Sequence, residues 1–236
     1  MFKIKDIVLL LLIIVLTISL VLISSWTNGI EIIRNLSETI NKQILYQLIT
    51  LFITTIFLFV LWLTKKEKFQ KYFRKGNISA NILSEPMIGI KPKPTENWFH
   101  LGRNFAIIIS VVTSIVIYFQ LVKDSGISMG SILNILPFSI VFALSNSFVE
   151  ESITRLGVVV VLKDILNDRT IPLISALIFG TVHYWGKPGG FLGVIVAGFL
   201  GWLLTKSILE TKGIFWAWLI HFLQDVIIFS ALLTLK

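Results

Sequence analysis

The sequence contains no cysteine. That absence excludes disulfides, a thiolate metal site and a cysteine nucleophile. Charge is scarce as well. Only 14% of the 236 residues are Asp, Glu, Lys or Arg, and 55% are hydrophobic, whereas an ordinary globular domain carries roughly 25% charged residues. A soluble protein of this size could not cover its surface with so few charges without exposing large apolar patches. A typical cytosolic enzyme is therefore excluded. So is intrinsic disorder, which combines low hydrophobicity with high net charge. The net charge of +8 does not point to nucleic acid, because membrane proteins carry excess Lys and Arg for orientation. Neither a serine-nucleophile motif nor a glycine-rich phosphate loop is expected; Gly189-Gly190 after Pro188 reads as a turn. What remains is a chain whose solvent is largely lipid.

Seven apolar runs are long enough to be candidate spans: 7–23, 44–64, 105–122, 138–162, 172–185, 191–205 and 214–235. The expected fold is all-α, a polytopic helical membrane protein with about seven transmembrane helices. The fifth and sixth runs are short and fit a tilted or buried hairpin. The first follows Lys3 and Lys5, but its apolar stretch is too long for a signal peptide and no A-x-A site follows it, so it reads as a retained span. Orientation comes from Lys and Arg, which collect in cytoplasmic loops. Placing the loop 65–104 inside puts 15 Lys and Arg on that side. Five remain on the other (Arg34, Lys42, Lys123, Lys187 and Lys236), and Arg155 falls within a span. The N-terminus is then expected inside and the C-terminus outside, with the protein lodged in the plasma membrane of a prokaryote. Within the loop, 65–75 is basic with Phe69, Tyr72 and Phe73 interleaved, either a solvated flank or a segment lying on anionic lipid. The stretch with Pro86, Pro92 and Pro94 reads as extended linker. Two regions are expected: 1–130, with the N-terminal helices and the basic loop, and 131–236.

Ionisable groups within spans are costly and mark function by default. Here they gather in the last 90 residues: Glu150, Glu151, Arg155, His183, His221 and Asp225. None is expected in the spans before Ala143. Glu151 and Arg155 are four apart and share a helix face, so they can pair; Glu150 lies about 100° round and faces something else. His221 and Asp225 also share a face. Each cluster alone has a plain structural explanation: a helix end, a packed histidine beside aromatics, a local His–Asp bond. Their depths argue for more. Glu150 lies 13 residues from Lys163, His183 14 from Arg169, and His221 and Asp225 9 and 13 from Lys212. At 1.5 Å per residue these are about 20, 21, 14 and 20 Å. Three separate helices thus place ionisable groups in one layer, expected to be reached from the cytoplasmic side.

A carboxylate beside a histidine can activate a water, the carboxylate taking its proton. A second histidine can stabilise an oxyanion. This set hydrolyses an amide without a covalent intermediate. The same residue types suit zinc in a three-ligand site, although no H-E-x-x-H occurs, and they also suit a proton or ion path. A non-enzymatic protein that binds a toxin peptide or a membrane partner is a further possibility.

In order, the motifs are Glu150-Glu151-Ser-Ile-Thr-Arg155, Phe179-Gly-Thr-Val-His183 and His221-Phe-Leu-Gln-Asp225, each on its own apolar run. Together they resemble the CPBP intramembrane proteases, also called the Abi family, which groups CAAX prenyl endopeptidases with bacteriocin-processing and self-immunity proteins. The resemblance covers about 137 to 235, the catalytic core of the expected C-terminal region. It implies an intramembrane endopeptidase of the glutamate type, with no cofactor and with zinc as the alternative. The implied partners are membrane lipid and a membrane-associated peptide or protein, with no nucleic acid; cleavage is expected in the cytoplasmic half of the bilayer. Glu150 would be the general base working with His183. Glu151 and Arg155 would position it, and His221 with residue 225 would form the oxyanion hole. One departure stands out. The prenyl-processing members have Asn where this chain has Asp225, and an ionised Asp only accepts hydrogen bonds. Asp225 could then serve the oxyanion only in protonated form or by orienting His221, and non-prenylated substrates are favoured.

Overall fold

The computed structural model describes residues 3–186 and 189–235. Lys187, Pro188 and Lys236 lie outside the described residues, and so do the expectations that fall on them. Among the described residues the architecture is helical, with three isolated bridges in place of strands. Six helices are long and apolar enough to cross a membrane: α1 (Ile4–Trp26), α2 (Glu38–Tyr72), α3 (Trp98–Val122), α4 (Met129–Leu162), α6 (Gly190–Thr211) and α7 (Phe215–Leu232). The seventh, α5 (Thr170–Trp185), is shorter. The protein is a polytopic helical membrane protein, and each apolar run of the sequence corresponds to one of these helices.

Helix starts follow capping chemistry. The Ser37 hydroxyl accepts from the Ile40 amide, and Asn97 accepts from Phe99. Both satisfy amides that a helix start leaves without partners. Ser128 caps α4 in the same way, accepting from Ser131 at 3.1 Å. That serine sits in Gly126-Ile-Ser128-Met-Gly130, a G-x-S-x-G spacing that corrects the expectation of none. It opens a helix after a loop, with no strand before it as a nucleophile elbow requires. It stands 22 residues before Glu150, about 33 Å along the helix, and lines neither cavity described below.

The second half of α4 is the centre of the molecule. Val149, Ile153, Leu156 and the run from Val158 to Leu162 are fully buried. Leu9 and Ile13 of α1, Phe57 and Leu61 of α2, Ile171 of α5 and Leu203 of α6 belong to the same core. The N-terminal helices therefore enclose the C-terminal ones. Leu11, Val15 and Ile18 of α1 and Ile107, Val111 and Ile115 of α3 are exposed, as expected for faces solvated by lipid tails. The two short runs do form a close pair. Gly180 of α5 meets Gly198 of α6, and a Cβ on Gly180 would come within 2.9 Å of the Val194 carbonyl. Gly201 packs on Ala176, the close backbone approach that small residues permit.

The starts of α1, α5 and α7 and the ends of α2, α4 and α6 share one end of the bundle. Asp6 pairs with Lys65 there, Lys68 donates to the Lys163 carbonyl, and the Asn77 amide donates to the Thr211 carbonyl. The fifteen Lys and Arg assigned to one side by the sequence lie at or near this end. Two expectations need correction. The basic segment is not loop at its start: α2 continues through a kink at Lys65 (φ −136°, ψ 35°) to Tyr72, which is buried. The stretch 73–97 is not an extended linker. It has a 3-10 turn at Pro86–Ile88 and is fastened by side chains: the Trp216 indole donates to the Ile78 carbonyl, Lys206 donates to the Leu83 carbonyl, and Glu210 accepts from the Leu83 amide at 3.1 Å. These bonds to α6 and α7 hold it as a folded cap.

Candidate active site

The helix α4 carries the acidic pair just before a π-helical turn, Ser152–Leu156. Such turns insert an extra residue and are frequent at functional sites. Glu151 and Arg155 pair as their spacing predicts, Nη1 to Oε1 at 3.3 Å, both fully buried. The same Glu151 oxygen accepts from His221 Nδ1 at 2.7 Å. Arg155 also donates to the Thr154 hydroxyl at 2.7 Å, and its guanidinium lies 3.4 Å from the centre of the Phe179 ring. A desolvated cation over an aromatic face is worth about 2 kcal/mol, which offsets part of the cost of its unpartnered Nε and Nη2. Phe179 also packs on His183, ring centres 4.0 Å apart, and stands edge-on to His221 at 5.8 Å. One ring thus spaces the arginine and both histidines.

Glu150 stays out of the Glu151–Arg155 pair, as its 100° offset from Glu151 predicts. Its Oε1 accepts from Asn146 Nδ2 at 3.1 Å. Its Oε2 is buried without a hydrogen-bond partner and lies 3.6 Å from His221 Nε2. Asp225 Oδ1 is also 3.6 Å from that nitrogen, and its Oδ2 accepts from Asn146 Nδ2 at 3.0 Å. Asn146 therefore directs both amide hydrogens at two carboxylates, and these two acceptors settle which end of its amide is nitrogen. His183 Nδ1 lies 2.8 Å from the Phe179 carbonyl. A carbonyl only accepts, so Nδ1 carries a hydrogen and Nε2 is left free.

All six residues singled out in the sequence come together on α4, α5 and α7. Glu150, His183, His221 and Asp225 line a cavity of about 710 Å³ bounded by α2, α3, α6 and α7. Glu150 and His183 also line a second cavity of about 360 Å³ against α1. The walls hold Ser24 near the end of α1, Lys42 near the start of α2, Gly186 after α5 and Leu232 at the end of α7. No wall residue comes from 73–97, 163–169 or 206–214. The expectation that the layer is reached from the basic side is thus corrected. The helices part at the other end, and the folded cap and the α6–α7 turn cover the basic one.

Sequence reasoning missed Asn146 and Lys42. The first carries no charge, although it stands one helical turn before Glu150. The second precedes the apolar run, but α2 begins at Glu38 and carries Lys42 into the cavity wall. The apolar runs before Ala143 carry no ionisable group, but the helices begin before those runs and take in Lys42 and Asp6, which is buried in α1 against Lys65. Among the described residues no group of three or more His, Asp or Glu is placed to hold a metal ion. His221 is bonded through Nδ1 to Glu151 and His183 through Nδ1 to a backbone carbonyl, so each ring keeps Nε2 for other contacts.

Residues 132–227 match the family described as type II CAAX prenyl endopeptidase, Rce1-like. No curated protein and no solved structure matches the chain. The matched segment holds Asn146 and all six site residues, and with it the chain carries a domain of the CPBP or CAAX-protease family that its three motifs resemble.

Proposed function

We propose that the protein is an intramembrane endopeptidase in which Glu150 and His183 activate water. The observation that carries this reading is the convergence of Glu150, with its unpartnered Oε2, and His183, with its free Nε2, on a cavity inside a bundle of membrane-spanning helices. A water held between Oε2 and Nε2 loses a proton to Glu150 as its oxygen attacks the peptide carbonyl. His221 donates from Nε2 to the carbonyl oxygen as that atom gains negative charge, and Glu151 on Nδ1 balances the charge on the ring. When the tetrahedral intermediate collapses, the C–N bond breaks and Glu150 returns its proton to the leaving nitrogen. A carboxylate and an amine are released, and no metal takes part. Arg155 holds Glu151 from behind. Asp225 accepts from Asn146 and stands beside His221, so its part is to orient.

The test compares peptides that accumulate in membranes bearing the wild-type protein or the Glu150→Gln variant. Loss of a general base costs about 10²–10⁴ in rate, so cleavage by the variant, and by His183→Ala, falls below detection while both proteins still insert. Full cleavage by both inserted variants would end this reading. A protein that only binds its partner would tolerate the neutral isostere.

A further inference from the structure

We infer that the catalytic cavity opens on the extracytoplasmic side of the membrane, so that its substrates are exported peptides or outward-facing segments of membrane proteins. Two independent observations combine. The first is charge. The end of the bundle holding the cap 73–97 carries fifteen Lys and Arg, whereas among the described residues the opposite end carries Arg34, Lys42 and Lys123. Every connecting segment is short, the regime in which Lys and Arg bias sets orientation. The basic end therefore faces the cytoplasm. The second is the shape of the cavities. Both extend from Glu150 and His183 toward the other end, through Ser24 and Gly186, and the larger also reaches Lys42. The cytoplasmic end is covered by the cap bound to Lys206, Glu210 and Trp216.

The wall chemistry bears on the occupant. The larger cavity is mostly apolar, with Ile108, Val112, Ile195, Ile228 and Phe229 among its walls, and Lys42 is a cation on the rim side. An extended apolar peptide fits such a space, its residues desolvated by aliphatic walls. A lipid-modified C-terminus made in the cytoplasm would meet the covered face. The substrate class rests on the endopeptidase reading above, whereas the direction of access does not.

The absence of cysteine makes the test direct, because single-cysteine variants of the full chain need no background removal. Glu31→Cys and Asp124→Cys place exposed thiols at the cavity end, Lys91→Cys places one on the basic cap, and Ser24→Cys places one in the cavity wall. Intact cells expressing each are treated with a membrane-impermeant maleimide. The first two variants and Ser24→Cys are expected to label in intact cells at least tenfold faster than Lys91→Cys, which labels only after permeabilisation. Reversed labelling, labelling of both ends in intact cells, or a Ser24→Cys thiol reached only from the cytoplasm or not at all would overturn the inference. The substrate class is read separately, from peptides that differ between wild-type and Glu150→Gln cells. They are expected to derive from exported segments, and cytoplasmic sequences would refute that part. No difference at all would refute the endopeptidase reading, with the direction of access still decided by the maleimide.

Discussion

Asn146 is predicted to be the residue that lets two carboxylates share the site. Its Nδ2 lies 3.1 Å from Glu150 Oε1 and 3.0 Å from Asp225 Oδ2, so the two carboxylate oxygens are no more than about 6 Å apart. At an effective dielectric of about 20, two unit charges at that distance repel by roughly 3 kcal/mol. Each hydrogen bond to a charged group is worth about 1.5–3 kcal/mol. Asn146→Ala removes both donors and leaves the repulsion. If about 3 kcal/mol of that loss reaches the transition state, cleavage slows by roughly 10²-fold, at 1.36 kcal/mol per decade. Asp225→Asn alone keeps an acceptor for Asn146 and removes a charge, so it is expected to stay within tenfold of wild type. In the double variant the repulsion is gone, and at least tenfold of the activity lost in Asn146→Ala returns. The assay is a double-mutant cycle on cleavage rate, with coupling above about 1 kcal/mol expected. Additive effects, or Asn146→Ala at wild-type rate, would refute the reasoning.

Gly180→Val pushes a side chain against the Val194 carbonyl and Gly198. Overpacking of this kind costs about 1–3 kcal/mol, read as a lowered melting temperature in detergent. Gly130→Ala, whose Cβ meets only the Ser128 hydroxyl at 3.7 Å, should leave that temperature unchanged or raise it; equal melting of the two would contradict the packing argument. Glu151→Ala strands Arg155 as a buried, unpaired charge, a loss of about 3–5 kcal/mol, and frees His221 Nδ1. Melting and cleavage should fall together, and an unchanged melting temperature would show that the pair is not buried as described. Incubation with a chelator is expected to leave cleavage unchanged; inhibition reversed by added zinc would replace the water-and-carboxylate scheme with a metal one.

Much of this arrangement was legible in the amino-acid sequence, and the reasons for the remainder are physical. Apolar runs announce membrane helices because a lipid environment tolerates little else, and Glu151 with Arg155 follows from helical spacing alone. Asn146 escaped because a neutral amide leaves no trace in a search for charge, even one turn from Glu150. The start of α2 escaped because Asn41, Lys42 and Gln43 look like loop residues. The structure turns Asn41 to the 32–36 segment, where its side chain bonds the amides of Ile32 and Ile33. The folding of 73–97 depends on Lys206, Glu210 and Trp216 meeting distant backbone groups, contacts with no local signature. The direction of access escaped for another reason. Depth counted along each helix places a layer, but where neighbouring helices separate is decided by packing between them.

Glu150 and His183 stand in a wall common to two cavities, and this has a kinetic consequence. Hydrolysis needs a peptide and a water at the same carboxylate. On the proposed reading, a long apolar chain lodged among α2, α3, α6 and α7 leaves free the part of the smaller space that lies against α1, with Thr17, Ser25 and Thr154 in its walls. The two reactants then meet the carboxylate from its two sides, and a bound peptide does not shut out the molecule that must attack it. Turnover would then require no widening of the bundle between capture and cleavage, and a rigid scaffold would serve the reaction as well as a mobile one.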